Sequence, residues 1–417
     1  MTGVLVVVAV LVAASLPWWL PARVVALRAR VFALVNGQAA ITVPGELIGH
    51  ERFEEIYSHP AARGRSRGAA LSDLFWYWLS PGAHLHQEHL EDGERYDAVA
   101  AATRAYLALP RTRVEELARA CAARGLTEGG LVRLRDLMMP IWAEFAYELV
   151  FAEPCPPEAR RLIVGNADDV VTALKCCGLR HLARRDRLTR YLLARLDRAR
   201  LPLPAVLSRE EQALYLQGVF FNTAVVQLSE AMAHLLLVLA QHPGEADLDA
   251  VMAETMRVYP LFGVAHRITT GDIALDERTT IPAGTVLCFN YPDYHRPHEF
   301  DAARSRRDVP AIPFGVAANR PCPAWRLAPI AMRVVALETL ERFELRSSAA
   351  HTRSLPNRGP CLLTPRGAPA PRAPALLAMR LRDRWEDLWR SLVQLVLGTY
   401  MVWDARRQRL CERHFAG

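Results

Sequence analysis

Hydrophobic residues recur at three- and four-residue spacing through most of the chain between Phe53 and Val251. Residues 114–123, 131–151, 159–174 and 210–241 carry this stripe, which predicts a succession of helices. Ser208 followed by Glu210 and Glu211 marks the start of the longest, because acids favour a first helical turn. His242-Pro243 ends it. Between residues 268 and 291 the pattern shortens to strand-like pieces, with the turn Pro282-Ala283-Gly284 ahead of residues 285–289. Helical spacing returns over residues 324–345, and no internal repeat is visible. The pattern predicts a large, mainly α domain with a small β element.

Both ends add something different. Residues 4–20 form an apolar run interrupted only by Ser15 and Pro17. As a helix it reaches roughly 25 Å, close to the thickness of a bilayer core. Trp18 and Trp19 close the run, Arg23, Arg28 and Arg30 follow it, and no basic side chain precedes it. A secretory signal carries its charge ahead of the apolar stretch, so this order predicts a single-pass anchor with the body of the chain cytoplasmic. A cleaved signal or a buried first helix is the alternative. At the other end, residues 365–374 are rich in Pro and Ala and predict a linker. Leu381, Trp385, Leu388, Trp389, Leu392, Leu395 and Val396 then mark one helical face, and Arg406, Arg407 and Arg409 follow. Residues 392–403 are apolar but too few to span a bilayer. Docking on the protein and lying in a membrane interface stand equal for this helix, with partner binding third.

Composition narrows the function classes. The chain has 417 residues, 51% hydrophobic and 23% charged, which supports a sizeable core and excludes intrinsic disorder. The net charge of +7 comes almost wholly from arginines interspersed with acids, with Lys175 the one lysine. Such scatter makes no phosphate-binding face, so no nucleic-acid partner is expected. Eight cysteines without a C-x-x-C pair exclude a zinc ribbon or a thioredoxin-like motif. Their irregular spacing is that of small buried residues in a reducing compartment.

Three clusters carry candidate chemistry. Glu254 and Arg257 lie three apart on one helical face, which taken alone predicts an ordinary surface ion pair. Residues 313–324 form a loop that places Cys322 ahead of a helix, where backbone amides stabilise a thiolate. His84, His86 and His89, with Glu88, lie between Ser80-Pro81-Gly82 and Glu91-Asp92-Gly93. That setting predicts an exposed loop, with metal binding, substrate contact and plain solvation all open.

Taken in order, these pieces resemble the cytochrome P450 superfamily over residues 50–364. The long helix ending in Leu-Ala-Gln-His-Pro is similar to the family's central helix, and Glu254 with Arg257 match its E-x-x-R motif. Arg267 matches an arginine that reaches a haem propionate, and residues 299–304 resemble the meander, with Arg304 completing a Glu-Arg-Arg triad. Phe314 to Ala324 resemble the cysteine-ligand loop, with Arg320 two before Cys322, and residues 357–360 resemble the final β hairpin. The resemblance implies haem b held by Cys322 as axial iron ligand, with Arg267, Arg320 and Tyr96 on the propionate side and Phe314 in the loop. It assigns Glu254, Arg257 and Arg304 to structure.

The implied function is a membrane-anchored haem-thiolate monooxygenase acting on a hydrophobic small molecule. Electrons would come from a separate reductase or ferredoxin, since the chain has no flavin or iron–sulfur motif. The alternatives are a non-catalytic tethered scaffold, or a peroxide-driven or isomerase-type haem enzyme. The chain would divide into an anchor and hinge (residues 1–30), the haem domain (31–364), and a linker with an amphipathic helix (365–417).

The sequence departs from the family pattern at several points. Phe314 lies eight residues before Cys322 instead of seven, Ala318 and Ala324 stand where the loop has glycines, and Ala100 stands for an arginine. The acid and threonine that relay protons fall on Val226 and Gln227. Asn222-Thr223 lies one turn earlier on the same face. Either the helix has slipped and Thr223 acts, or Gln227 does, or the relay is gone.

Overall fold

The computed structural model describes residues 2–36, 40–64, 70–127, 129–244, 247–304, 309–316, 319–369 and 373–416. Its helices are α1 (Thr2–Asn36), α2 (Phe53–Ser58), α3 (Ala70–Leu79), α4 (Glu94–Leu107), α5 (Arg111–Gly125), α6 (Leu134–Phe151) and α7 (Pro157–Leu174). They continue as α8 (Leu182–Leu193), α9 (Arg209–Gly218), α10 (Val225–Gln241), α11 (Leu248–Val258), α12 (Tyr291–Tyr294), α13 (Leu327–Arg342), α14 (Ala373–Gln408) and α15 (Leu410–Ala416). The mainly α reading with a small β part holds.

The centre is the rod formed by α9, a π-helical stretch Val219–Ala224, and α10. Ser208 opens it with a capping box: its hydroxyl accepts from the Glu211 amide, and the Glu211 carboxylate accepts from the Ser208 amide. Leu235, Leu236, Leu237 and Val238 are all buried, so α10 is enclosed on every side and packs along α6. The rod is long and apolar enough to cross a membrane, yet it is the core of this domain. Trp142, Phe145 and Phe221 fill the space beside it. A second core joins α2 to a three-stranded sheet in which β6 (Val286–Asn290) pairs parallel with β1 (Ile41–Val43) and antiparallel with β3 (Val264–Ile268).

Two helix expectations need correction. Residues 131–133 belong to strand β2 (Gly130–Arg133), which pairs with β8 (Pro360–Pro365), and α6 starts at Leu134. The helix expected over 324–345 ends at Arg342, where β7 (Phe343–Arg346) joins the other edge of β8. In both places an apolar stretch too short to show its period takes the structure its distant partner strand offers. The expected linker shrinks as well, since β8 runs to Pro365 and α14 begins at Ala373.

Two core histidines make stability sensitive to acid. His234 on α10 hydrogen-bonds His351 at 2.9 Å, and the His351 ring stacks on Tyr259 at 3.8 Å. Burial pushes His234 down to about 4 and His351 to about 2, from 6.5. Both are neutral in the fold, whereas the unfolded chain takes up protons as pH falls through 6.5. Their contribution to stability is therefore complete above 6.5 and is lost progressively as pH falls, down to about 4 for His234 and about 2 for His351. The urea midpoint should drop between pH 7 and pH 5, and His351→Gln should flatten that slope. A midpoint unchanged over this range would contradict the assignment.

Candidate functional site

Cys322 sits in a loop held from three sides. Its amide donates to the Phe314 carbonyl at 2.8 Å, the Asn319 amide donates to Val316, and the Gly315 amide donates to Ile312. Gly315 has φ +78°, a conformation that suits glycine. The buried Asn319 side chain donates to the Tyr57 carbonyl at 2.5 Å, which fastens the loop to α2. Ala318 lies outside the described residues. The loop runs into α13, and the Ala324 amide donates to the Cys322 sulfur. Burial pushes the Cys322 thiol up, and that amide opposes the shift.

The sulfur faces a cavity of about 1700 Å³, its open mouth included. Phe314 and Arg320 line it on the loop side, and Thr223, Ala224, Gln227 and Leu228 line it on the rod. Thr223 and Gln227 thus line the same cavity as Cys322. Asn222 does not: it lines an adjoining space of about 830 Å³ with Val226, and its side-chain oxygen has no partner. The π-helical stretch is the cause. It fits an extra residue into the turn and rotates the positions on either side of it relative to a regular helix.

The two arginines expected at propionates close on the chain itself. Arg267, 2% exposed on β3, pairs with Glu88 at 3.0 Å and donates to the Tyr57 hydroxyl at 3.3 Å. Its buried Nε has no partner. Arg320 donates to the carbonyls of Gln87 and Leu90 at 3.1 and 2.6 Å and pairs with Asp92. Tyr96 lies under Arg320 at 3.6 Å and steadies the guanidinium from one face. Tyr96 does not line the cavity, so its part is to hold Arg320.

The histidine stretch is not an exposed loop. His89 bonds the Ala83 carbonyl at 2.7 Å and stacks on Trp76, and His84 lies against His414. Among the described residues the three histidines form no metal-ligand cluster. The group Cys121, Glu144 and Glu148 that does come together is filled by Arg124, which bonds all three side chains. His86 lines both cavities, and its Nε2 lies 3.4 Å from Thr223 Oγ1. Burial pushes His86 down, so the ring is neutral. Its Nδ1 accepts from the Glu88 amide at 3.3 Å, which leaves the proton on Nε2 to donate to Thr223. The sequence offered the H-x-H spacing but no sign that His86 alone turns inward.

Glu254 and Arg257 are a buried pair, not a surface one. Arg257 makes two parallel bonds to Glu254, at 2.7 and 2.6 Å. It also donates to the carbonyls of His295, Pro297 and Glu299. Arg304 reaches Glu254 at 3.4 Å. His295, fully buried, was not apparent from the sequence. It accepts the Ile312 amide at Nε2 (3.0 Å) and therefore donates from Nδ1 to the Arg257 carbonyl. A continuous run of bonds thus joins α11 to the start of the cysteine loop.

This donor set fits haem: a thiol aimed into a large apolar cavity, and an orphaned guanidinium nitrogen within a buried cationic flank. Comparison with known proteins agrees. A family model described as Cytochrome P450 matches residues 248–368, which hold the Glu-Arg pair, Arg267 and the cysteine loop. The fold is similar to a 6-coordinated cytochrome P450 from Thermus thermophilus (19% identity, 75% of this chain and 90% of that one, TM-score 0.57). It is also similar to cytochrome P450EX alpha with myristic acid (16%, 76% and 88%, TM-score 0.59). A third is a single-residue variant of cytochrome P450 OleT in complex with arachidonic acid (16%, 74% and 85%, TM-score 0.57). No curated protein sequence matches. The chain has a cytochrome P450 fold, and its residues 248–368 match the cytochrome P450 family, whose proteins carry haem iron.

Proposed function

We propose that the protein is a haem-thiolate monooxygenase that acts on a hydrophobic small molecule, receives electrons from a separate reductase or ferredoxin, and is anchored by α1. The observation that carries this reading is the cavity shared by Cys322, Thr223 and Gln227. Bound there, haem supplies oxygen activation at an iron made electron-rich by thiolate. Cys322 would hold the haem iron through its thiolate, and Arg267 and Arg320 would pair with the haem carboxylates. The cavity wall is mostly apolar, from Phe145, Leu149, Phe220 and Phe262, so it desolvates a greasy substrate and excludes water. Two structural relatives hold fatty acids, which supports a chain-like apolar substrate.

Proton delivery falls to Thr223. His86 donates to its oxygen, so the Thr223 hydroxyl keeps its own hydrogen available to donate. Gln227 shares that wall, but its amide does not titrate near neutral pH. Thr223→Ala should lower product formed per electron pair consumed by roughly tenfold or more, and Gln227→Ala by less. Equal, small effects in both would remove Thr223 from the relay.

One observation favours a second reading. Among the described residues Glu88 is the sole acid lining either cavity, and it is engaged with Arg267. A site without a free acid suits peroxide-driven or isomerase-type haem chemistry. Turnover with reductase measured against turnover with peroxide separates the two.

A further inference from the structure

The long C-terminal helix buries several polar side chains while it leaves large apolar ones bare. Along α14 the residues turned to the protein include charged and polar ones, Asp383 (3% exposed), Gln394 (8%) and Asp404 (4%), beside apolar Met379, Met401 and Val402. The face turned away carries an apolar stripe, with Trp389 67% exposed, Val396 65% and Trp403 58%, flanked nearer the N-terminal end by exposed Arg380, Arg382 and Arg384. Leu377, Leu381 and Trp385 extend the same stripe towards the N-terminal end of the helix, which runs for ~54 Å. Asp383, Gln394 and Asp404 are each engaged in hydrogen bonds. Asp383 accepts from the Ala350 amide and from Asn357 and Arg390, Gln394 bonds Arg28 and the Lys175 carbonyl, and Asp404 takes Arg407 and Gln408. A helix in water arranges its faces the other way round. Polar inside and apolar outside is the arrangement that lipid selects.

We propose that this outward face of α14 lies against the lipid of a bilayer, as a second membrane contact beside α1. Continuity with α1 names the occupant. α14 packs along α1, and Arg28 on α1 bonds Gln394 on α14. Val24 and Pro17 of α1 are turned to the protein, whereas Val4 to Val8 and Val10 to Val12 project with half or more of their surface bare. The α1 run has a mean hydropathy of 2.2 and is long enough to cross a membrane. The bare face of α14 therefore continues an apolar surface that already ends in lipid on the anchor reading, on which this inference rests. Trp18, Trp19, Trp385, Trp389 and Trp403 supply amphipathic rings of the kind that gather at the headgroup level. No charged side chain interrupts residues 391–403.

The contact also bears on the site. Leu74, Tyr77 and Trp78 of α3 pack with Met401, Val402 and Ala405 of α14, while Ser72, Phe75 and Leu79 of α3 line the smaller cavity beside Thr223. One helix thus separates that cavity from the lipid-facing layer.

Photocrosslinking of the full chain in vesicles of phosphatidylcholine and phosphatidylglycerol tests this. Trp389, Val8 or Glu210 is replaced, one at a time, by benzoylphenylalanine, and lipid adducts are measured by mass spectrometry after illumination. Position 389 should give lipid adducts at least about tenfold above position 210, as position 8 does. Lipid adducts at 8 with none above background at 389 would overturn the inference and leave the anchor standing. Crosslinks from 389 to a second copy of the chain would overturn it in favour of a dimer. Adducts at neither position would remove the anchor reading as well.

Discussion

Arg257→Leu should lower the unfolding free energy by about 3–5 kcal/mol, the usual cost of breaking one half of a buried ion pair. The variant leaves Glu254 buried with only Arg304, at 3.4 Å, as counter-charge. It also strips a donor from the carbonyls of His295, Pro297 and Glu299, each of which then lacks the guanidinium that ties it to α11. The damage reaches the cysteine loop, because His295 links the Arg257 carbonyl to the Ile312 amide. Arg257→Lys keeps the charge but not the planar fork, so it should recover only part of the loss. Urea unfolding followed by circular dichroism checks both. A cost below about 1 kcal/mol for Arg257→Leu would mean the pair behaves as a surface one.

Cys322→Ser should abolish thiolate ligation while leaving the fold intact. The Cys322 side chain faces a cavity, so shortening the chalcogen creates no packing defect of consequence. A serine hydroxyl ionises far less readily than a thiol and donates less electron density to iron. The variant should keep the parent's urea midpoint and lose the carbon-monoxide band near 450 nm. Cys361→Ser serves as the control, because Cys361 is buried in β8 away from the cavity. A band retained in Cys322→Ser would refute the ligand assignment.

Local pattern made some of this legible and hid the rest for physical reasons. The Ser208 cap, the long central rod and the Glu254–Arg257 spacing are properties of neighbouring residues, and all three appear in the structure. Whether that pair is buried depends on carbonyls about forty residues downstream, which no local spacing reveals. Leu131 and Val132 read equally well as helix or strand until β8 supplies the ladder. The π-helical stretch has no mark in Phe220-Phe221-Asn222, yet it decides that Thr223 and not Asn222 shares a cavity with Cys322. His86 and His295 act through hydrogen bonds to residues distant in the chain, so composition could not separate them from the other histidines. The amphipathic stripe of α14 was evident, but not which face the protein would take.

The central claim is that the cavity beside Cys322 takes haem through the thiolate. The most direct measurement is the absorption difference spectrum of the reduced, full-length protein with and without carbon monoxide, after expression with haem supplied. A band near 450 nm is the expected result. Protein that folds but binds no haem, or binds it without that band, would contradict the claim and leave a non-catalytic P450-like scaffold in its place.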